Sequence, residues 1–121
     1  MAISRILVVD DSPTERFFLS ELLVKNGYLV SMAESGEEAV AQAKQTLPDL
    51  IVMDVVMPGM NGYQATRMIT KEEATKHIPV IMCTTKGQET DKVWGMRQGA
   101  KAYLVKPVKP DDLLDQIKAL G

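Results

Sequence analysis

Five short apolar segments alternate along the chain with five segments that have the pattern of amphipathic helices. Four of the apolar segments run without alternating polar residues, as do strands that are buried on both faces of a parallel sheet: residues 6–9, 50–53, 80–83 and 102–105. The remaining segment, residues 28–32, is less continuous and is typical of an edge strand. Strict alternation of strands and helices predicts a parallel sheet with right-handed crossovers and helices on both faces.

The predicted fold is therefore α/β: a doubly wound, flavodoxin-like sheet of five parallel strands in the order 2-1-3-4-5, with five helices. Helix starts are marked by residues that cap helices, such as Ser12 before Pro13 and Asn61 before Gly62. The fourth helix, at residues 89–98, contains Gly95, which costs about 1 kcal/mol relative to alanine. We predict that the following residues face the core: Phe18, Leu19, Leu22 and Leu23 in the first helix, Ala65, Met68 and Ile69 in the third, and Val93, Met96 and Ala100 in or after the fourth.

The composition is that of one ordinary soluble domain. With 121 residues the chain is long enough for one core and too short for two. Its net charge of −2 provides no broad basic surface, so we expect no nucleic-acid partner. The single cysteine, Cys83, excludes an internal disulfide, and no apolar run approaches the ~18 residues that a membrane span needs. We therefore expect a cytoplasmic protein that does not insert into membranes, and we expect a monomer.

Polar residues stand at the carboxyl ends of four predicted strands: Asp10 and Asp11 after the first, Asp54 after the third, Thr84 after the fourth and Lys106 after the fifth. In a parallel sheet these ends lie along one edge, and in the order 2-1-3-4-5 strands one and three are neighbours. The order of connection reverses between these two strands, which is where open α/β sheets bind their ligands. We therefore expect the three acids to surround this crevice.

Three carboxylates at such close quarters repel one another, by about 4 kcal/mol for a pair ~4 Å apart at an effective dielectric constant of ~20. Either cations compensate them or some are protonated. Mg²⁺ suits a small cluster of carboxylate oxygens and leaves positions open for a phosphate oxygen, and Lys106 supplies a compact charge that pairs with phosphate. We predict that Asp54 is the nucleophile that accepts a phosphoryl group, with Mg²⁺ held by Asp10 and Asp11. Thr84 then offers a hydroxyl donor to the new phosphate.

Each of these residues also has a plainer interpretation. Asp10 and Asp11 precede a helix start, where acids are favoured. Asp54 comes shortly before Pro58 and Gly59, which form a turn signal, and aspartate is itself a common turn residue. The joint occurrence of all five polar residues at predicted strand ends favours a functional site over these separate explanations.

With these residues assembled, the chain resembles the receiver domains of bacterial two-component response regulators over essentially its whole length. The resemblance implies a CheY-like receiver domain at residues 1–121 with no output domain. It also implies a signalling protein rather than an enzyme, one that catalyses only its own phosphorylation and dephosphorylation. The phosphoryl donor is then a histidine kinase, the acceptor is Asp54 and the cofactor is Mg²⁺, with the backbone carbonyl of Val56 as a further metal ligand.

The resemblance further implies a conformational switch. Thr84 and the aromatic Tyr103 rearrange the face made by helix four, strand five and helix five, through which a downstream protein binds. A cis peptide bond before Pro107 is also implied, a geometry that only about 5% of such bonds adopt. Residues 10–15, 62–67 and 84–100 resemble the single-domain regulators of type IV pilus twitching motility and of pilus-based phototaxis.

Two roles fit such a regulator: phosphorylation transmits a signal to a target, or it drains phosphate from a sister regulator. Val56 bears on the lifetime of the phosphate, because this side chain cannot orient an attacking water, and we predict a long-lived phosphate. Trp94 lies off the predicted core stripe of helix four. It is either a partner contact, as tryptophan often is, or a cover for the neighbouring third helix.

Three other functions share parts of this pattern. A flavodoxin-type redox protein has the same fold, but Asp10 and Asp11 would repel its flavin phosphate. A haloacid-dehalogenase-like phosphatase pairs its aspartate nucleophile with a second acid two residues on, where this chain has Val56. An interaction module that has lost phosphorylation would not need the complete acidic site that the sequence predicts.

Overall fold

Strands and helices alternate through residues 2–121, which are the residues that the structure, a computed structural model, describes. The strands are β1 (Arg5–Val9), β2 (Leu29–Ala33), β3 (Leu50–Met53), β4 (Val80–Thr84) and β5 (Ala102–Val105). The helices are α1 (Pro13–Lys25), α2 (Gly36–Thr46), α3 (Gly62–Lys71), α4 (Glu89–Arg97) and α5 (Pro110–Leu120). None of the described helices combines the length and the apolar composition that a membrane span requires.

The five strands are parallel and lie in the order β2-β1-β3-β4-β5, so the predicted doubly wound topology is confirmed. β1 pairs with both β2 and β3, and Val9 lies opposite Ala33 on one side and Met53 on the other. Thr84 lies opposite Val105 at the ends of β4 and β5. The register therefore brings the residues that follow these strands to one edge of the sheet.

Alternate residues of the central strands face opposite layers of the core. One cluster includes residues of α2 and α3 and contains Leu7, Val9, Ile51 and Met53. The other includes residues of α1 and α5 and contains Ile6, Val8, Leu50 and Val52. Because apolar layers cover both faces of the sheet, β1 and β3 require the continuous apolar sequence from which they were predicted.

Side-chain caps fix where α1 and α3 begin. Ser12 Oγ accepts a hydrogen bond from the backbone amide of Glu15 at 3.3 Å. Asn61 Oδ1 accepts from the amide of Gln64, and the Gln64 side chain accepts from the amide of Asn61, both at 2.9 Å. These caps satisfy backbone donors that have no partner within the helix. α1 consequently begins directly after the short turn that follows β1, at Pro13, and α3 begins after the longer loop that follows β3, at Gly62.

The predicted core faces of α1 and α3 are wrong at one residue each. Phe18 is 46% exposed, and so is Met68. In α1 the buried stripe consists of Leu19 and Leu23, four residues apart, and Phe18 is turned away from Leu19 by about 100°. The stripe that packs on the sheet is narrower than the apolar pattern of the sequence.

The predicted core face of α4 is wrong at Val93 and Met96, which are exposed, and right at Ala100, which is buried just after the helix. Within the helix the buried residue is Gly95. A Cβ atom at Gly95 would lie 2.8 Å from the ring of Tyr103 and 2.8 Å from the sulfur of Met82. Side chains from β4 and β5 thus occupy the space that the sequence pattern assigned to apolar residues of α4. The glycine allows the helix to approach them.

Candidate functional site

Three aspartates meet at the carboxyl edge of the sheet, between β1 and β3. Asp10 directly follows β1, and its amide donates to the carbonyl of Ala33 at 3.2 Å. Asp54 directly follows β3, and its amide donates to the carbonyl of Val9 at 2.9 Å. These bonds extend the pairing of the strands and fix both residues. The carboxylate oxygens that Asp10, Asp11 and Asp54 offer lie within 4.8 Å of one another.

Lys106 brings a positive charge into this acidic cluster. Its Nζ lies 2.7 Å from Asp10 Oδ2 and 3.6 Å from Asp54 Oδ1. The backbone amide of Lys106 donates to the carbonyl of Thr84 at 2.8 Å, which holds the lysine beside the end of β4. The following peptide bond, Lys106–Pro107, is cis. Three strand ends, those of β1, β3 and β5, therefore contribute charged side chains to the cluster, and the end of β4 is joined to it through the backbone carbonyl of Thr84.

Burial and charge together set the ionisation of the cluster. Asp54 is 6% exposed, and its burial, together with the charge of Asp10, raises its pKa to about 6 although Lys106 acts in the opposite direction. Burial lowers the pKa of Lys106, but its hydrogen bond to Asp10 and the charge of Asp54 outweigh this effect and leave that pKa raised. Near neutral pH, Asp54 is therefore mostly a carboxylate and Lys106 is an ammonium group.

The donor set at this edge has the chemistry that Mg²⁺ requires. The three clustered carboxylates supply hard oxygen ligands, and Mg²⁺ is usually held by one or two carboxylates together with water and phosphate oxygens. A single lysine leaves part of the negative charge of three carboxylates uncompensated. The residues present thus fit a divalent cation.

The loop between Asp54 and Gly62 is held against the site by backbone contacts. The amide of Val55 donates to Asp54 Oδ1 at 2.9 Å, and the amide of Gly62 donates to the carbonyl of Val55 at 2.9 Å. Gly59, the predicted turn residue, has a φ of 73°, which a residue with a side chain rarely adopts. Val56 is 56% exposed in this loop. An apolar side chain at the surface thus stands two residues from Asp54.

Thr84 and Tyr103 lie on the neighbouring strands β4 and β5 and both bind Lys86. Thr84 is fully buried, and its Oγ1 accepts a hydrogen bond from the amide of Lys86 at 3.2 Å. Tyr103 is also buried, and its hydroxyl donates to the carbonyl of Lys86 at 2.7 Å. Burial raises the pKa of Tyr103 above its usual range, so the phenol is protonated. Both predicted switch residues therefore contact the backbone of Lys86, near the start of the segment between β4 and α4.

Two residues beside the site come from helices and were not predicted from the sequence. Arg16 of α1 donates to the carbonyl of Asp10 at 2.7 Å, and its second terminal nitrogen lies 3.1 Å from Glu34 Oε1. Tyr63 of α3 has its hydroxyl oxygen 3.3 Å from that of Tyr103. Each residue lies within the first four positions of a helix that begins at the carboxyl edge. That position is the only signal in the sequence that could have identified them.

Two further side chains predicted to be of interest lie outside the acidic cluster. Trp94 is 50% exposed on α4, beside the exposed Val93 and Met96. Cys83, which directly precedes Thr84, is 1% exposed, and burial raises the pKa of its thiol to about 12. The tryptophan is therefore available at the surface, and the thiol is protonated and covered.

Comparison with known proteins places the chain in a family. Residues 6–118 match the response regulator receiver domain. The chain belongs to that family. Protein PilH of Pseudomonas aeruginosa is 57% identical over 117 residues, and the match covers 97% of each chain. The chain also matches longer transcriptional regulators, of which it spans about half the length.

Solved receiver structures have the same fold. The chemotaxis protein CheY4 of Vibrio cholerae matches with a TM-score of 0.91 and 35% identity, over 99% of this chain and 100% of that one. The receiver domain of a sensor histidine kinase from Pseudomonas aeruginosa matches with a TM-score of 0.90 and 31% identity, over 98% of each chain, and it holds a magnesium ion in its active site cleft. Receiver domains are signalling proteins with an acidic pocket for Mg²⁺, so family membership decides against the flavodoxin-type and phosphatase alternatives.

Proposed function

We propose that this receiver domain is a phosphoacceptor switch of a two-component phosphorelay, in which a histidine kinase transfers a phosphoryl group to Asp54. The observation that carries the proposal is the position of the Asp54 carboxylate, within 4.8 Å of those of Asp10 and Asp11 and 3.6 Å from Lys106 Nζ. A nucleophile, ligands for a divalent cation and an ammonium group meet at this point.

Asp54 is the attacking group in this mechanism. Its Oδ1 accepts the hydrogen bond from the amide of Val55, which leaves Oδ2 for attack on phosphorus. A bond forms between that oxygen and phosphorus as the bond from phosphorus to the histidine nitrogen of the donor breaks, and the electron pair of the broken bond stays on the nitrogen. The pKa of about 6 keeps Asp54 in the carboxylate form near neutral pH.

The other residues of the cluster neutralise the charge of the transferring group. Asp10, Asp11 and Asp54, with the backbone carbonyl of Val56, would hold Mg²⁺. When bound there, Mg²⁺ supplies positive charge to the phosphoryl oxygens. The Lys106 ammonium neutralises a further oxygen, and Thr84 donates its hydroxyl to the phosphate. In the structure the Thr84 oxygen accepts a hydrogen bond from the amide of Lys86, so donation to the phosphate reorients this hydroxyl relative to Lys86.

Through this reorientation, phosphorylation of Asp54 changes the surface formed by α4, β5 and α5. Because Lys86 binds both Thr84 and Tyr103, a shift of Thr84 displaces the segment that leads into α4. Trp94, half exposed on α4, is a contact for the downstream protein in this proposal. The identity of 57% with PilH, together with the segments at residues 10–15, 62–67 and 84–100, supports a role in pilus-based motility.

Incubation with Mg²⁺ and acetyl phosphate is expected to add one phosphoryl group to the chain, as measured by intact mass spectrometry. EDTA should abolish the gain, because the clustered acids then face the incoming phosphate with Lys106 as their main counter-charge. Asp11→Asn leaves Asp54 and Lys106 in place, and it should raise the half-saturating Mg²⁺ concentration by about ten-fold or more. A gain that persists in EDTA, or that fragmentation locates outside residue 54, would contradict the proposal.

Val56→Asn is expected to shorten the lifetime of the phosphate. The asparagine side chain can orient a water molecule for attack on phosphorus, and one added hydrogen bond in the transition state corresponds to about a ten-fold rate increase. The measurement is the loss of the phosphoryl mass with time after the donor is removed. Val56→Ala is the matched control, because it opens the same exposed position without adding a polar group. Equal decay rates in the asparagine variant and the unaltered protein would refute this assignment of Val56.

A further inference from the structure

Two buried tyrosines meet between α3, β5 and α4. Tyr63 is the second residue of α3 and Tyr103 is the second residue of β5. The side chains are 9% and 8% exposed, and their hydroxyl oxygens are 3.3 Å apart. The rings belong to a small apolar cluster that is separate from the two main core layers and that also contains Val55, Met82 and Ala100. Val55 directly follows Asp54, so this cluster adjoins the phosphoacceptor.

The two hydroxyl groups have two hydrogens to donate but make three contacts with oxygen atoms. Tyr103 donates to the carbonyl of Lys86 at 2.7 Å, and Tyr63 donates to the carbonyl of Asp91 at 3.1 Å. A phenol has one hydrogen to donate, so the contact between the two oxygens is a hydrogen bond only when one tyrosine redirects its hydrogen. The bond from Tyr103 is the shorter one. Tyr63 is therefore the residue whose hydroxyl has two acceptors within reach, the Asp91 carbonyl and the Tyr103 oxygen.

Both acceptors of Tyr63 are connected to the segment between β4 and α4. Asp91 lies in the first turn of α4, where its carboxylate accepts from the amide of Gln88 at 3.2 Å and lies 3.6 Å from Lys86 Nζ. Tyr103 binds the carbonyl of Lys86, whose amide in turn binds Thr84. One hydroxyl group from α3 thus contacts the first turn of α4 directly, and it reaches Lys86, at the other end of the segment that a shift of Thr84 would displace, through Tyr103.

Packing around Tyr103 leaves no spare room in the buried position. A Cβ atom at Gly95 would lie 2.8 Å from the Tyr103 ring. The ring therefore fills the space between β5 and α4, and its hydroxyl depends on Lys86 and Tyr63 for hydrogen bonds. A buried oxygen that loses one of two partners is destabilised relative to an exposed one.

We propose that Tyr63 is a positioning residue for the switch: its hydroxyl holds the Tyr103 ring in the buried position and links α3 to the first turn of α4. The inference rests on the proposed function, because the switch that Tyr63 adjusts is the one that phosphorylation of Asp54 operates. Replacing Tyr63 with phenylalanine keeps the ring in the apolar cluster and removes only the hydroxyl. The ratio of exposed to buried Tyr103 should rise by about five-fold, the factor that one neutral hydrogen bond contributes.

Fluorine NMR of protein labelled with 3-fluorotyrosine measures this ratio directly. The chain has three tyrosines, and Tyr103→Phe assigns the resonance of Tyr103 by its loss. Broadening of that resonance by a soluble gadolinium complex reports its exposure. Tyr63→Phe should increase the broadening by about five-fold, and Tyr28→Phe, which removes a hydroxyl elsewhere, should leave it unchanged. Equal protection of Tyr103 in Tyr63→Phe and in the unaltered protein would overturn the inference.

A second measurement separates this inference from the proposed function. Mg²⁺ and acetyl phosphate are added, the phosphoryl gain is followed by mass, and the fluorescence of Trp94 reports on α4. Tyr63→Phe should accept the phosphoryl group but give a smaller fluorescence change per phosphate than the unaltered protein. An equal fluorescence change per phosphate would overturn the role of Tyr63 while leaving phosphorylation intact. If the unaltered protein gains no phosphate, the proposed function fails, and the NMR measurement on unmodified protein still decides whether Tyr63 positions Tyr103.

Discussion

Asp54→Asn is expected to gain no phosphoryl group under conditions in which the unaltered protein is modified, and to be more stable than the unaltered protein at about pH 8 in EDTA. The first effect follows because an amide is not a nucleophile for phosphorus, and no other acid in the cluster takes the place at the end of β3. The second follows because the cluster then holds one fewer buried negative charge, while Lys106 keeps its 2.7 Å contact with Asp10.

The direction of the stability effect comes from the pKa of Asp54. Burial and the charge of Asp10 raise this pKa from 3.8 to about 6, so between these values the folded protein binds a proton that the unfolded chain has released. The contribution of this group to the free energy of unfolding therefore falls as the pH rises from about 4 to about 6, and the cost is complete above the folded pKa. About 2 kcal/mol should be regained in the asparagine variant at about pH 8, and little below about pH 4.

Urea unfolding in EDTA at several pH values measures this difference. Asp115→Asn is the matched control, because Asp115 is an exposed acid on α5 and its replacement should change the free energy of unfolding by less than about 0.5 kcal/mol at any pH. If the Asp54 variant took up a phosphoryl group, another residue would be the acceptor. A stability difference that did not vary between about pH 4 and pH 8 would refute the raised pKa.

Gly62→Ala is expected to lower the free energy of unfolding by about 3 kcal/mol. A Cβ atom at this position would lie 2.0 Å from the backbone oxygen of Asp54 and 2.8 Å from the Cα atom of Val55. Both obstacles are backbone atoms, so relief requires a shift of α3 or of the chain that follows β3. The better helix propensity of alanine, worth at most about 1 kcal/mol, does not compensate for this overlap.

The same substitution should also slow phosphorylation, because any shift that relieves the overlap moves Asp54 relative to Lys106. Gly87→Ala is the matched control for stability: its Cβ atom would lie 3.1 Å from a methyl group of Val105, which can rotate. We expect that control to change the free energy of unfolding by less than about 1 kcal/mol in urea. Equal stability of the two alanine variants would show that α3 tolerates a wider separation from β3 than the backbone contacts indicate.

The sheet could be predicted because its strands are buried on both faces. Continuous apolar runs at residues 6–9, 50–53, 80–83 and 102–105 leave few alternatives, and β3 and β5 have the predicted bounds. The helix faces were less predictable, since periodicity identifies apolar residues but not the shape of the surface they meet. At α4 the buried residue is Gly95, because the Tyr103 ring from another element occupies the space.

In the candidate site, too, the residues at strand ends could be predicted and the residues on helices could not. The strand-end rule brings Asp10, Asp54 and Lys106 together because the register of a parallel sheet determines where its strands end. Arg16 and Tyr63 reach the same region from helices, and their contacts depend on the rotation of α1 and α3 about their axes. A sequence pattern does not determine those rotations to the precision that a hydrogen bond requires. Only the three-dimensional contacts of Arg16 and Tyr63 therefore identify them as neighbours of the site.

Cys83 offers an intrinsic probe of the strand that carries Thr84. It is the only cysteine in the chain, and at 1% exposure with a pKa of about 12 it is shielded from alkylation while β4 is in place. Cys83 packs in the core layer that includes residues of α1 and α5, so a thiol reagent can react only when this layer opens locally, and the labelling rate counts such opening events. Binding of a ligand at the adjacent acidic edge would then slow the labelling of Cys83. Because Cys83 is a native side chain, the measurement needs no attached dye.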